Sequence, residues 1–123
     1  KKTMTLLTTI AITIVILLHL LFMILEMFLW DTAIGRKTFG LSEEYARQSA
    51  TLAANQGLYN GFLAAGLIWG LFSTGGFEAL IFFLSCIIIA GIYGAITVKT
   101  SILFLQALPA AIAMGLLLNN QSM

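Results

Sequence analysis

The chain has 123 residues, 60% hydrophobic and 9% charged, with a mean hydropathy of +1.03. That leaves too little polar surface to solvate a water-soluble domain and places the chain in lipid, with the bilayer as its first partner. A net charge of +1, with adjacent basic residues only at Lys1-Lys2 and Arg36-Lys37, gives no electrostatic footprint for nucleic acid, and the single Cys86 excludes a disulfide framework or a thiolate metal cluster.

Four helices are predicted in chain order, over residues 4–30, 43–72, 77–97 and 102–118, all within one transmembrane domain. The first is roughly 40 Å long as a helix, more than the roughly 30 Å hydrocarbon core requires. Its Lys1-Lys2 start has the look of a signal peptide. The apolar stretch is too long for one, contains Glu26 and lacks a small-x-small cleavage pattern, so a retained helix is expected. The loop from Asp31 is the one long connection. Ser42 with Glu43 and Glu44 reads as an N-cap and acidic first turn, and Glu43 and Arg47 have the spacing of an i,i+4 pair. Residues 73–76 and 98–101 are too short to join anything but antiparallel neighbours. The predicted fold is therefore all-α, an integral membrane up-down four-helix bundle. Arg36, Lys37, Arg47 and Lys99 outnumber Lys1 and Lys2, which by the positive-inside rule puts the first and third loops in the cytoplasm and both termini outside.

The chemistry-bearing residues lie inside the first helix. His19 and Glu26 are seven positions apart, two helical turns, and so leave the same face. Ionisable groups at bilayer depth cost at least a few kcal/mol each and are functional candidates by default. Counting about 1.5 Å per residue from Trp30 places Glu26 roughly 6 Å and His19 roughly 16 Å deep. With the second helix entering at Ala50, Asn55 and Gln56 come out roughly 8 to 9 Å deep, and Tyr59 and Asn60 roughly 13 to 15 Å. Tyr93 on the third helix and Gln106 on the fourth both fall roughly 7 to 8 Å from the same boundary. All four predicted helices thus contribute to one polar layer, and a shared chamber would pair the carboxyl and imidazole with amides and phenols. His19 and Glu26 cannot bond directly, being roughly 10 Å apart along the axis.

Each of these residues also has a structural reading. Glu26 can snorkel or pair with Arg36 or Lys37, His19 can be a core histidine bonded to Asn60 or a backbone carbonyl, and the amides can be interhelical glue. Trp30, Tyr45 and Trp69 read as interfacial or packing aromatics. His19 is the only histidine and the methionines show no ligand-like spacing, so no metal and no cofactor is expected. Gly57, Gly61 and Ala65, spaced by four, and Gly91 with Gly94 form small-residue faces that serve either packing within the bundle or a homo-oligomer seam. Pro109 frees the carbonyl of Leu105 and predicts a kink beside Gln106.

The run His19-Leu20, Glu26-Met27-Phe28, Trp30, Gly35-Arg36-Lys37, Phe39-Gly40-Leu41, Ala53-Ala54-Asn55-Gln56-Gly57, Tyr59-Asn60-Gly61-Phe62 and Ala64-Ala65-Gly66 resembles the domain of unknown function 1304 family. The resemblance implies a short four-helix protein of the bacterial inner membrane, with His19, Glu26 and Asn55-Gln56-Gly57 in the family's motifs. It implies no substrate, reaction or cofactor. Three functions compete on the residues themselves. One is a transporter or ligand-binding membrane protein whose polar cavity takes a proton or a small amphipathic, lipid-like ligand. The others are an embedded enzyme using His19 or Glu26 as acid or base on a lipidic substrate, and a non-catalytic assembly subunit. No nucleophile constellation or phosphate loop supports the enzyme, so transport is placed first.

Overall fold

A computed structural model describes residues 4–122; Lys1 and Lys2, which enter the orientation argument, lie outside the described residues. Among the described residues the chain is all helical, without strands. Helix α1 spans Leu6–Phe28, α2 Ala33–Phe39, α3 Glu43–Phe72 and α4 Phe77–Thr97; a π-helical turn, Leu103–Ala107, then leads into α5, Leu108–Ser122. Three segments are long and apolar enough to cross a membrane: Leu6–Phe28, Phe77–Thr97 and Leu103–Asn120. The fourth expected span, α3, is the longest helix but is not among them. Asn55, Gln56 and Asn60 interrupt its apolar run.

The chain packs as two compact units, one of residues 1–18 with 63–123 and one of residues 19–62, so α1 and α3 contribute their two halves to different units. In the larger unit, Thr5 caps α1 by accepting the Thr8 N–H on Oγ1 at 3.2 Å, and its own N–H donates to Asn120 Oδ1 at 2.8 Å. The core holds Ile12, Val15, Leu67, Leu80, Leu84, Ile87 and Leu117, each with under 2% of its surface exposed. Close approach depends on glycines. A Cβ at Gly66 would collide with the Phe83 ring and one at Gly70 with Leu80, which seats α3 against α4. A Cβ at Gly91 would stand 2.5 Å from the Ala107 backbone nitrogen, so α4 lies directly on the π-helical turn.

That turn replaces the kink expected beside Gln106. Leu108 N–H reaches back to Leu103 O, one residue farther than an α-helix allows. Pro109 follows immediately and has no N–H to offer the Leu105 carbonyl, so widening the preceding turn relieves the ring's crowding of it.

In the smaller unit α3 begins at Glu43 as expected, with Ser42 Oγ accepting the Tyr45 N–H at 3.1 Å. The expected Glu43–Arg47 pair is absent among the described residues; Gln48 donates to Glu44 instead, at 3.4 Å. Sequence reading leaves residues 31–42 as loop, whereas they hold α2. Thr32 caps it through Gly35 N–H, and Gly40 ends it in the left-handed region (φ 66°), a conformation that favours glycine. Gly35 is buried, and a Cβ there would strike the Leu29 and Trp30 carbonyl oxygens.

Candidate functional site

The site grows from the contact of α1 with α3 inside the smaller unit. Met23, Glu26 and Met27 recur at three- and four-residue spacing on α1 and so share one face. Gly57 and Gly61 on α3 receive that face. A Cβ at Gly57 would lie 2.7 Å from Met27 Cγ, 3.0 Å from Glu26 Cβ and 3.1 Å from the Met23 carbonyl, and one at Gly61 2.7 Å from Met23 Sδ. Backbones brought this close let a short amide on α3 reach a carboxyl on α1. Asn60 Nδ2 donates to Glu26 Oε1 at 2.6 Å.

The two partners differ in burial. Asn60 has 4% of its surface exposed, while Glu26 is half-buried. Every buried side-chain nitrogen or oxygen among the described residues has a hydrogen-bond partner. Among the described residues the second carboxyl oxygen, Oε2, makes no hydrogen bond, and it is not fully buried. The carboxyl is thus held on one side and open on the other. Burial of a polar group is tolerable only when it is bonded, and Asn60 fills that role for Oε1.

His19 is fully buried two turns deeper on α1, with its ring edge-on to Phe22 at 5.3 Å between centroids. Two turns of rise keep it roughly 10 Å from Glu26 along the axis, so the two do not form an acid–base dyad. Arg36, an alternative partner for Glu26, is instead paired with Asp31 at 3.0 Å. Below the end of α1, Trp30 stacks on Phe39 at 4.8 Å and donates Nε1 to Ser49 Oγ at 2.9 Å; Ser49 in turn donates to the Tyr45 carbonyl at 2.6 Å. Trp30 therefore locks α2 and α3 together beneath the site.

The other predicted site residues are placed differently. The Glu26–Asn60 bond sets the register of α3 on α1. Asn55 and Gln56 then lie roughly 6 to 8 Å farther toward the end of α1, whose last residue is Phe28. They are exposed, and Asn55 Nδ2 donates to the Thr51 carbonyl of its own helix at 2.9 Å. Tyr59 is 54% exposed and rests near Phe62, with ring centroids 6.3 Å apart. Helix α3 begins well beyond the end of α1, at Glu43, so its first turns do not lie beside α1. Tyr93 and Gln106 belong to the larger unit. Tyr93 is 69% exposed on α4, and Gln106 is half-buried in the π-helical turn.

Sequence reading misses Met23 and Met27 as the surface against which the glycines pack. Their four-residue spacing, in phase with Glu26, is the signal that finds them. The glycines offered as an oligomer seam are occupied within the chain, Gly57 and Gly61 by α1, Gly91 by Ala107 and Gly94 by Ile102, while Ala65 is exposed.

A family model described as "Protein of unknown function (DUF1304)" matches residues 13–118, a range that includes His19, Glu26 and Asn60. The chain is also 33% identical over 114 residues to an uncharacterized protein, YpaA, from Lactococcus lactis subsp. lactis (strain IL1403), an alignment covering 90% of this chain and 96% of that protein. No solved structure matches. The coverage carries one conclusion: this chain belongs to the DUF1304 family of proteins of unknown function.

Proposed function

We propose that the chain is a multi-pass protein of the bacterial cytoplasmic membrane, an up-down bundle in which α3 completes the three apolar spans, and that it acts as a small transport protein. The observation that carries this reading is the half-satisfied carboxyl of Glu26. Asn60 fixes Oε1 at 2.6 Å while Oε2 stays open, so the group is oriented without being neutralised by a cation. Intramembrane carboxyls of this kind mark ion and proton pathways. In this reading Oε2 takes up and releases a proton or a cationic group of a small amphipathic ligand, and Asn60 holds the carboxyl in place while it does so. The separation of His19 from Glu26 favours transport over acid–base catalysis. Arg36, Lys37, Arg47 and Lys99 support a cytoplasmic position for α2 and for the α4–α5 connection, with both termini outside.

The test uses the proton as its own probe. The full chain is reconstituted into vesicles containing a pH-sensitive dye, and a potassium diffusion potential is imposed. Proton entry above that of protein-free vesicles, reduced to their level by Glu26→Gln, is expected. Flux equal in wild type and E26Q, or a wild type no leakier than empty vesicles, overturns the transport reading.

A further inference from the structure

A second candidate site lies in the larger unit, at the turn joining α3 to α4. An open groove of about 520 Å³ is lined by Trp69 on α3, Phe82 and Phe83 on α4, and the polar Ser73, Thr74 and Glu78. Trp69 lies in the last turn of α3 with Ser73 just past its end, and Glu78 and Phe82 are four apart at the start of α4, so the α4 wall carries an aromatic ring about one turn, roughly 6 Å, from a carboxylate. The turn keeps the groove open because Gly75 takes the left-handed conformation (φ 73°) and Gly76 lies against the Gly70 carbonyl. Trp69 and Phe82 leave 63% and 61% of their surface exposed, and Phe83 stands edge-on to Phe82 at 5.2 Å.

The charge in this groove has one sign. Glu78 is its only charged side chain, it is exposed, and it makes no ion pair among the described residues. A carboxylate next to exposed ring faces attracts cations and repels anions, since an aromatic face is the negative end of its quadrupole. The occupant is fixed by position. Helix α4 is an apolar span beginning at Phe77, so Glu78 stands at the membrane boundary and the rings one turn inside it. We propose that this groove holds the ammonium head group of a bilayer lipid, with Glu78 as counter-ion, Trp69 and Phe82 as the cation–π walls, and the acyl chains lying along the exposed apolar surface of α4. The proposal rests on the membrane reading above but not on the role of Glu26.

The experiment reads Trp69 directly. In a Trp30→Phe background, which retains a ring against Phe39, Trp69 is the sole tryptophan of the full chain. The protein is reconstituted into bilayers of phosphatidylglycerol or phosphatidylethanolamine with brominated acyl chains, which quench a nearby indole, and the two lipids are mixed in competition. A two- to fivefold preference for the ethanolamine lipid at Trp69, of about the size of one exposed cation–π contact, is expected. Glu78→Gln and Phe82→Ala should each reduce it toward unity, and both sites are exposed enough to leave the fold intact. Equal quenching by the two lipids, or a preference that survives E78Q, overturns the proposal. Free tetramethylammonium, which presents the same cation, is expected to compete with the ethanolamine lipid for the groove. A chain that fails to enter the bilayer at all would instead refute the membrane reading, which keeps the two failures distinct.

Discussion

Removing the Asn60 amide should separate the structural from the functional work of the Glu26 site. Asn60→Leu keeps most of the side-chain volume but leaves Oε1 without its donor, in a position where 96% of the Asn60 surface is covered. Interhelical hydrogen bonds in membranes contribute about 0.6 kcal/mol on average and about 1.7 at most. The bond here is short, 2.6 Å, and hydrogen bonds to a charged acceptor reach about 1.5 to 3 kcal/mol in general. A coupling of about 1 to 2 kcal/mol between Glu26 and Asn60 is therefore expected from the cycle of wild type, E26L, N60L and the double variant. The assay is reversible unfolding in mixed dodecylmaltoside–dodecylsulfate micelles followed by far-ultraviolet circular dichroism. Glu26→Gln keeps an acceptor oxygen for Asn60 but not its charge, so it should retain roughly half of the coupling while abolishing proton flux. A coupling within about 0.3 kcal/mol of zero would refute the claim that Asn60 holds the carboxyl, because errors of additivity alone reach that size.

Two further predictions concern the backbone. Gly91→Ala and Gly115→Ala make the same change at two helical sites with opposite surroundings. The added methyl at Gly91 meets Ala107 backbone atoms at 2.5 and 2.9 Å, whereas nothing lies within 4 Å of one at Gly115. G91A should destabilise by about 1 to 3 kcal/mol through overpacking, and G115A should stabilise by about 0.5 to 1 kcal/mol through helix propensity, both read by the same unfolding assay. Gly40→Ala also meets no atom within 4 Å, so any cost comes from its φ of 66° alone. About 1 to 2 kcal/mol is expected, and a neutral result would mean that α2 does not end in a left-handed cap.

Much of the fold is legible in the sequence because long apolar helices announce themselves by length and composition. The starts of α3 and α4 and the end of α4 coincide with the expected positions. Ser42 is legible as a cap because its hydroxyl and the acidic turn after it have a mechanism tied to helix starts. Helix α2 is not, because it is seven residues long and its glycine, Gly35, reads as a breaker when the chain is viewed locally. Only the nearby Leu29 carbonyl explains that glycine, and nothing adjacent in sequence reveals it. The π-helical turn is half legible. Pro109 signals an irregularity one turn earlier, but propensity does not say whether the chain kinks or widens.

The candidate site is legible in its members and not in its geometry, and the reason is register. His19 and Glu26 stand out because an ionisable residue in an apolar helix is costly wherever the helix is placed. Which of the polar residues on α3 meets them depends on how α3 slides along α1, and one turn of sliding is only 5.4 Å. Counting from an assumed membrane boundary carries an error of that order, enough to pair Asn60 with His19 in place of Glu26. Gly57 and Gly61 remove the ambiguity, because they allow close contact only where Met23 and Met27 can lie over them. The four-residue spacing of those methionines, in phase with Glu26, is already present in the sequence. Small residues on one helix and unbranched residues of the same spacing on another therefore fix register better than depth does, and register decides which amide holds the carboxyl.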